Sequence, residues 1–339
     1  MRAPGFWWQP PGLVATLLTP VGALYGAVAA ARMGRAGERA AVPVICVGNP
    51  TLGGAGKTPT ALALAELLSA AGERPAFITR GYGGREKGPQ RVDRQRHDAR
   101  AVGDEALLLA RACTTVVARD RAAGARLAVR EGASVVVLDD GFQNPAPAKD
   151  LALLVVDGMS GIGNHRVFPA GPLRAPLSPQ LARAHGLVRI GAGAAGEAVA
   201  TTAAAMGIPV IAARLVPDAA AASSLTRRRV IAFAGIGHPE KFFATVAETG
   251  AELVERRAFA DHHPYSAADA RALIAAARAE SLLPVTTEQD QARMTGDPAL
   301  AELAAAARAL PVRLQFEDEA AVRALIGEAL ARARARARR

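Results

Sequence analysis

At 339 residues, half of them apolar, the chain can bury two packed domains or one large α/β domain with an appendage, which excludes a polypeptide too polar to fold. The formal charge of +10 suits an anionic partner, but no zinc knuckle, RRM-type aromatic motif or helix-turn-helix pattern points to nucleic acid. Two isolated cysteines, Cys46 and Cys113, exclude a disulfide framework and a thiolate metal site, suit a reducing compartment, and are expected to be buried and structural.

The first predicted element is apolar. No charged residue occurs between Ala3 and Ala31, and the run ends at Arg32 and Arg35. A cleaved signal peptide fits poorly, because one Arg, two early tryptophans and Pro10 with Pro11 make a weak n-region. A spanning helix from Leu13 to Ala31 approaches the ~20 residues required, but Pro20 and the many small residues lower its drive to insert. An interfacial helix is the favoured reading, with Phe6, Trp7 and Trp8 at headgroup level and Leu13, Leu17, Leu18, Val21 and Leu24 dipping into the acyl boundary. A helix packed on the protein's own core is the remaining alternative.

A βα alternation follows. Residues 42–47 (VPVICV) predict a buried strand closed by Gly48, Asn49 and Pro50, and a glycine-rich turn then leads into a helix over 58–71. Residues 75–79 (PAFIT) predict a strand ending in RGYGG at 80–84; 104–113 are expected to be helical, 115–117 a short strand and 119–131 helical again. Residues 134–138 (SVVVL) end in Asp139 and Asp140, and 151–156 (LALLVV) end in Asp157. Such alternation predicts a parallel sheet covered on both faces, whose ligands bind beyond the carboxyl ends of the strands. The motif-bearing loops after Val47, Thr79, Leu138 and Val156 all fall there.

Beyond an Ala/Gly-rich stretch at 191–207, a second βα pattern begins. Residues 229–234 (RVIAFA) lead into Gly235, Ile236, Gly237, His238 and Pro239, with further strands expected at 252–256, 283–286 and 311–315. With GGAGKT (53–58), a P-loop pattern, set between the first strand and its helix, the expected organisation is a membrane-associating helix at 1–32, a P-loop core lobe at 33–214, a smaller α/β lobe at 215–330 and a basic tail at 331–339. That tail carries Arg332, Arg334, Arg336, Arg338 and Arg339 and reads as a solvated, frayed helix end. The fold class is thus α/β: a P-loop NTPase-like parallel sheet core, a second smaller lobe and an apolar N-terminal helix.

Four groups of residues carry chemistry. Thr51, Leu52, Gly53, Gly54, Ala55, Gly56, Lys57 and Thr58 follow the Walker A pattern except that Thr51 replaces its first glycine. The remaining glycines let backbone N–H groups close around phosphate oxygens, Lys57 reaches the β/γ-phosphates and Thr58 offers a hydroxyl to Mg²⁺. Asp139 and Asp140, at the end of an apolar strand, resemble the Walker B carboxylates that hold the metal. Asp104 and Glu105 open a helix after Gly103; they either complement its dipole or supply a base that takes a proton from an attacking hydroxyl. Asp261, His262 and His263 form either an exposed turn or, if the second lobe closes, a group that orients the catalytic carboxylate.

Together these stretches resemble the tetraacyldisaccharide 4′-kinase family. The resemblance rests on VGNPTLGGAGKTP (47–59), RGYGG (80–84), GDE (103–105), DDGFQ (139–143), GNHRVFPAGPLR (163–174), AGIG with Pro239, FADH (259–262) and TTEQD (286–290). It implies ATP with Mg²⁺ as cofactors and transfer of the γ-phosphate to the 4′-hydroxyl of an acylated glucosamine disaccharide 1-phosphate. The setting implied is the cytoplasmic face of the inner membrane, with a peripheral, monomeric enzyme and no nucleic-acid partner. Carried over, Lys57 and Thr58 hold phosphate and metal, Asp139, Asp140 and Glu105 serve the Mg²⁺ site, and Asp104 is the base paired with His262. Arg80, Tyr82 and Arg174 lie towards lipid or phosphates. The family also implies two lobes joined by a short β-linker. His165, Ala175 and Gln289 depart from the family pattern, and the last puts any charge contact from the 286–290 loop in doubt. Two rivals stand beside this reading: a P-loop ATPase acting as a regulator or metal-centre chaperone, and a soluble small-molecule kinase.

Overall fold

The computed structural model describes residues 4–337. Its strands, in chain order, are β1 (Val44–Gly48), β2 (Pro75–Thr79), β3 (Gln90–Arg91), β4 (Thr115–Val117), β5 (Val135–Asp139), β6 (Leu151–Asp157) and β7 (Gly186–Ile190), followed by β8 (Val210–Pro217), β9 (Arg229–Ala234), β10 (Glu252–Ala258), β11 (Leu283–Thr286), β12 (Arg308–Ala309) and β13 (Val312–Phe316). They build a nine-stranded sheet in the order β13-β8-β7-β6-β1-β5-β2-β4-β3 and a four-stranded sheet in the order β10-β9-β11-β12. The large sheet is parallel except at its edges, where β13 runs against β8 and β3 against β4.

The central strands are apolar up to their carboxyl ends because both faces are covered. Ile45 and Val47 of β1, Val135 and Val137 of β5, and Leu151, Leu153 and Val155 of β6 point to one core. There they meet Leu64, Leu67 and Leu68 of the helix Lys57–Ala70 and Val322, Ile326, Ala329 and Leu330 of the helix Glu319–Ala337. The alternate residues, Val44 and Cys46, Val136 and Leu138, and Ala152, Leu154 and Val156, pack on the other face against Ala125 and Ala128 and against Val199, Ala200 and Ala203. Cys46 is thus core, and Cys113 is free and only partly buried.

The C-terminal segment departs from the expected organisation. Residues 312–337, expected to complete the smaller lobe and end in a loose basic tail, return to the large sheet instead. The reason is burial: β13 finds a free antiparallel edge on β8, and the helix after it closes the exposed face of the core. The helix continues to Ala337, with Arg334 on Glu73 at 2.7 Å and Arg336 on Asp150, so the basic run is docked rather than frayed. Arg338 and Arg339 lie outside the described residues. Two strands missing from the sequence expectation, β7 and β8, extend the sheet towards this edge, and β8 with β13 forms the two-stranded connection to the second lobe.

The N-terminal segment is stitched on by the indole and the backbone of Trp7. Trp7 is buried rather than at a headgroup level: its indole donates to the Pro169 carbonyl at 3.1 Å, and its own carbonyl accepts from the Asn164 amide at 2.7 Å. The helix Leu13–Met33 then packs through small residues, since a Cβ on Gly22 would lie 2.7 Å from the Val167 carbonyl oxygen and one on Gly26 would lie 3.2 Å from the Pro176 ring. Its large side chains face the other way: Leu13, Val14, Leu17, Val21, Leu24 and Val28 are all more than half exposed. A soluble surface helix shows the opposite pattern.

Candidate active site

The loop after β1 closes into a phosphate cradle because its glycines permit it. Gly53 (φ +108°) and Gly56 (φ +87°) adopt conformations that a side chain would strain, and Gly56 caps the helix Lys57–Ala70. Thr51 has no positive φ, so the missing first glycine costs nothing at this backbone. Its backbone is pinned instead from outside: Leu52 N–H donates to the Pro172 carbonyl at 2.7 Å, and Arg174 Nε donates to the Thr51 carbonyl at 2.8 Å. Ala55 is buried in the core beneath the loop.

Asp139 and Asp140 end β5 in different environments. Asp139 is buried, accepts from the Thr58 hydroxyl at 3.2 Å and leaves Oδ1 without a hydrogen-bond partner. Burial pushes its carboxyl well above the ordinary range, with Lys57 opposing and Asp140 adding to the rise. Asp140, at φ +57°, sits between Arg174 (3.0 Å to each carboxylate oxygen) and Lys57 (4.0 Å). Burial alone would raise its carboxyl, but Lys57 and Arg174 outweigh that and hold it at about 2.

That depressed value makes a pH prediction. The ion pairs of Asp140 contribute stability that is fully present above pH ~4 and lost as pH falls through the folded value of about 2. The difference in unfolding midpoint between the protein and Asp140→Asn should therefore narrow from pH ~4 towards pH ~2. A difference that stays constant across that window would show that the pairs with Arg174 and Lys57 are not what depresses the group.

Gly103 (φ +87°) turns the chain so that Asp104 and Glu105 enter the helix Asp104–Leu109 facing the cradle. Glu105 is pushed far up, first by burial and then by Asp139 and Asp104. Asp104 is 4% exposed and accepts from Arg293 Nε at 2.6 Å, with Arg293 Nη2 at ion-pair distance (2.5 Å) and His262 Nδ1 at 3.3 Å. Burial would raise its carboxyl, yet His262 and Arg293 hold it below the ordinary range, so it is ionised at neutral pH. His262, at φ +54°, is held by its own amide on the Gly235 carbonyl at 2.9 Å. Burial opposes its protonation, but Asp104, Asp261 and Glu105 outweigh burial and raise it.

The second lobe therefore closes over the first. Gly237 approaches the P-loop so closely that a Cβ there would sit 3.1 Å from the Gly54 amide nitrogen. Arg111 pairs with Glu288 at 3.1 Å, Arg100 with Asp297 at 2.6 Å, and Lys241 with Asp157, each bridging the two lobes. Tyr82 is exposed, its ring 4.8 Å from that of His262. Arg80 is exposed at the end of β2, outside this contact network.

Sequence reasoning missed Arg293, Arg121 and the role of Asp290. Arg121 is buried and donates to the Asp140 carbonyl at 2.7 Å, steadying the β5 turn from behind. Asp290 is fully buried and accepts from the Gly235 amide, Tyr265, Thr287 and Arg293. The one available signal was the three-residue spacing of Asp290 and Arg293, which puts them on one helical face.

The arrangement concentrates four carboxylates beside a P-loop, and only Asp104 and Asp140 have cationic partners within ion-pair distance. Asp139, bonded to the Thr58 hydroxyl, and Glu105, within electrostatic reach of Asp139, are left as hard oxygen donors, which fits Mg²⁺ better than a softer metal. Among the described residues no three His, Cys, Asp or Glu side chains form a self-sufficient metal cage. That suits a cation that takes most of its ligands from phosphates and water.

The chain is similar to known proteins over nearly its whole length. The profile of the tetraacyldisaccharide-1-P 4′-kinase family matches residues 14–331. A tetraacyldisaccharide 4′-kinase of Nitrobacter winogradskyi is 53% identical over 98% of this chain and 99% of its own. One from Xanthobacter autotrophicus is 54% identical over 99% of each chain. A crystal structure of LpxK from Aquifex aeolicus in complex with ATP superposes with a TM-score of 0.71 at 25% identity, covering 94% of this chain and 100% of that one. With its P-loop, its closing second lobe and this extent of similarity, the chain belongs to the tetraacyldisaccharide-1-P 4′-kinase family.

Proposed function

We propose that the protein transfers the γ-phosphate of ATP to the 4′-hydroxyl of a tetraacylated glucosamine disaccharide 1-phosphate, a step of lipid A biosynthesis. The observation that carries the reading is the convergence of Lys57, Thr58 and Asp139 with an ionised, His262-paired Asp104 in one interlobe cleft. Asp104 accepts the proton of the attacking hydroxyl, His262 orients that carboxylate, and Lys57 stabilises charge spreading over the transferred group. Thr58, Asp139 and Glu105 would hold Mg²⁺, which offsets phosphate charge when bound; Asp140 fixes Lys57 and Arg174 beside them. Closure of the second lobe excludes water and limits wasteful hydrolysis. Exposed Tyr82, beside His262, and exposed Arg80 are the groups proposed to meet the anionic sugar lipid, with Arg174 held at the phosphate side by Asp140. All of these groups come from one chain, so a monomer suffices. The test is incubation with ATP, Mg²⁺ and the acylated disaccharide 1-phosphate, scored for a bisphosphorylated product. Hydrolysis of ATP with no such product would sink the proposal and favour the ATPase reading.

The lipid substrate gives the exposed apolar helix a purpose. We infer a peripheral position on the cytoplasmic face of the inner membrane, where ATP is present, with Leu13, Leu17, Val21 and Leu24 in the acyl boundary. Burying a leucine contributes about 1.5–3 kcal/mol, so Leu17→Asp with Leu24→Asp should weaken vesicle association by about 100-fold or more. Flotation with anionic liposomes measures this, and ATP binding should not change, since neither leucine touches the cleft. Unchanged flotation would favour a helix that serves only the protein's own packing.

A further inference from the structure

Resting on the reading of Asp104 as proton acceptor, we infer that Arg293 is the positioning residue through which the second lobe fixes that carboxylate for phosphoryl transfer. Asp104 receives little hold from its own lobe: the Glu105 amide donates to Oδ1 at 3.0 Å. Among the described residues, the side chains that reach Oδ2 are Arg293 and His262, and both belong to the second lobe. The direction of the carboxylate is therefore set from across the cleft, and only when the lobes are together.

Arg293 is built for that task. It lies on the helix Glu288–Met294, its side chain is 7% exposed, and its fork serves three acceptors at once. Nε donates to Asp104 Oδ2, with Nη2 beside the same oxygen as an ion-pair contact, while Nη1 donates to Asp290 at 2.7 Å and to the Gly235 carbonyl at 2.6 Å. Asp290, fully buried, keeps the guanidinium charged and aimed. The Gly235 contact is the start of the loop that passes over Gly54, so one cation ties the carboxylate to the cover of the P-loop. The hydrogen bonds and ion pairs of Arg293 go to Asp104, Asp290 and Gly235, none of them a cradle residue Gly53–Thr58. Its loss should therefore slow the chemical step and spare nucleotide affinity.

The experiment uses the full chain with ATP, Mg²⁺ and the acylated disaccharide 1-phosphate, comparing Arg293→Gln, Arg293→Lys, Asp104→Asn and the double variant Asp104→Asn/Arg293→Gln. Arg293→Gln should lower kcat about 100-fold with the KM for ATP changed less than about three-fold, the scale of a misplaced catalytic group. Arg293→Lys keeps the cation and should recover kcat to within about ten-fold of the parent. The double variant should be no slower than Asp104→Asn, because Arg293 acts only through the proton-accepting carboxylate that Asp104→Asn already removes. A kcat within two-fold of the parent in Arg293→Gln, or losses that multiply in the double variant, would overturn the inference. If Arg293→Gln does not fold, the cycle is run with Arg293→Lys, whose smaller loss must likewise vanish in the Asp104→Asn background; persistence of that loss would overturn it. Wild-type turnover by Asp104→Asn would remove the base reading itself, an outcome distinct from wild-type turnover by Arg293→Gln alone.

Discussion

Replacing Asp104 by Asn should lower kcat by about 10²–10⁴-fold, the usual contribution of a positioned general base, while ATP binding stays within about three-fold of the parent. Asn keeps the shape and still accepts from Arg293, so the fold is spared, but an amide oxygen cannot take the proton of an attacking hydroxyl. Among the described residues Asp104 makes no hydrogen bond or ion pair with the cradle Gly53–Thr58; its partners are Arg293, His262 and the Glu105 amide. That separation is why nucleotide affinity and turnover should part company. Calorimetric titration with a non-hydrolysable nucleotide and a product assay measure the two quantities. Turnover at the parent rate would take Asp104 out of the chemistry and leave His262 as the group to examine.

Asp290→Ala should destabilise the protein by about 3–5 kcal/mol, the cost of removing one partner from a buried ion pair. Asp290 is fully buried and binds the Gly235 amide at 3.1 Å, the Tyr265 hydroxyl at 2.9 Å, the Thr287 hydroxyl at 2.6 Å and Arg293 at 2.7 Å. Alanine would leave these donors unpaired inside the second lobe, with Arg293 balanced by Asp104 alone. The loss should appear in the first denaturant-induced unfolding transition. A change below about 1 kcal/mol would mean that water replaces the carboxylate and that the network is less dry than its burial implies.

Much of the large lobe was legible because its signals are local. Four apolar residues in a row near turn formers make a buried strand, as at β2 and β5, and a glycine run before Lys57 and Thr58 makes a phosphate cradle. β7 and β8 were overlooked because Arg189 and Arg214 interrupt their apolar runs; both side chains reach out of the sheet, Arg189 to Glu197 and Arg214 to Gln315. Trp7 read as a membrane anchor because tryptophan suits an interface, but the pocket formed by Asn164 and Pro169 claimed it first.

By itself the sequence determined the βα alternation, the cradle at Gly53–Thr58, the acidic ends of β5 and β6, and the apolar face of the first helix. Each depends on stereochemistry within a few residues. The tertiary structure alone decided that β13 closes the large sheet, that Arg174 reaches back to Asp140, and that Arg293 meets Asp104 across 189 residues of chain. Such meetings depend on which surfaces remain open once the local elements have formed. A buried arginine carries no mark in the sequence of the carboxylate it will find.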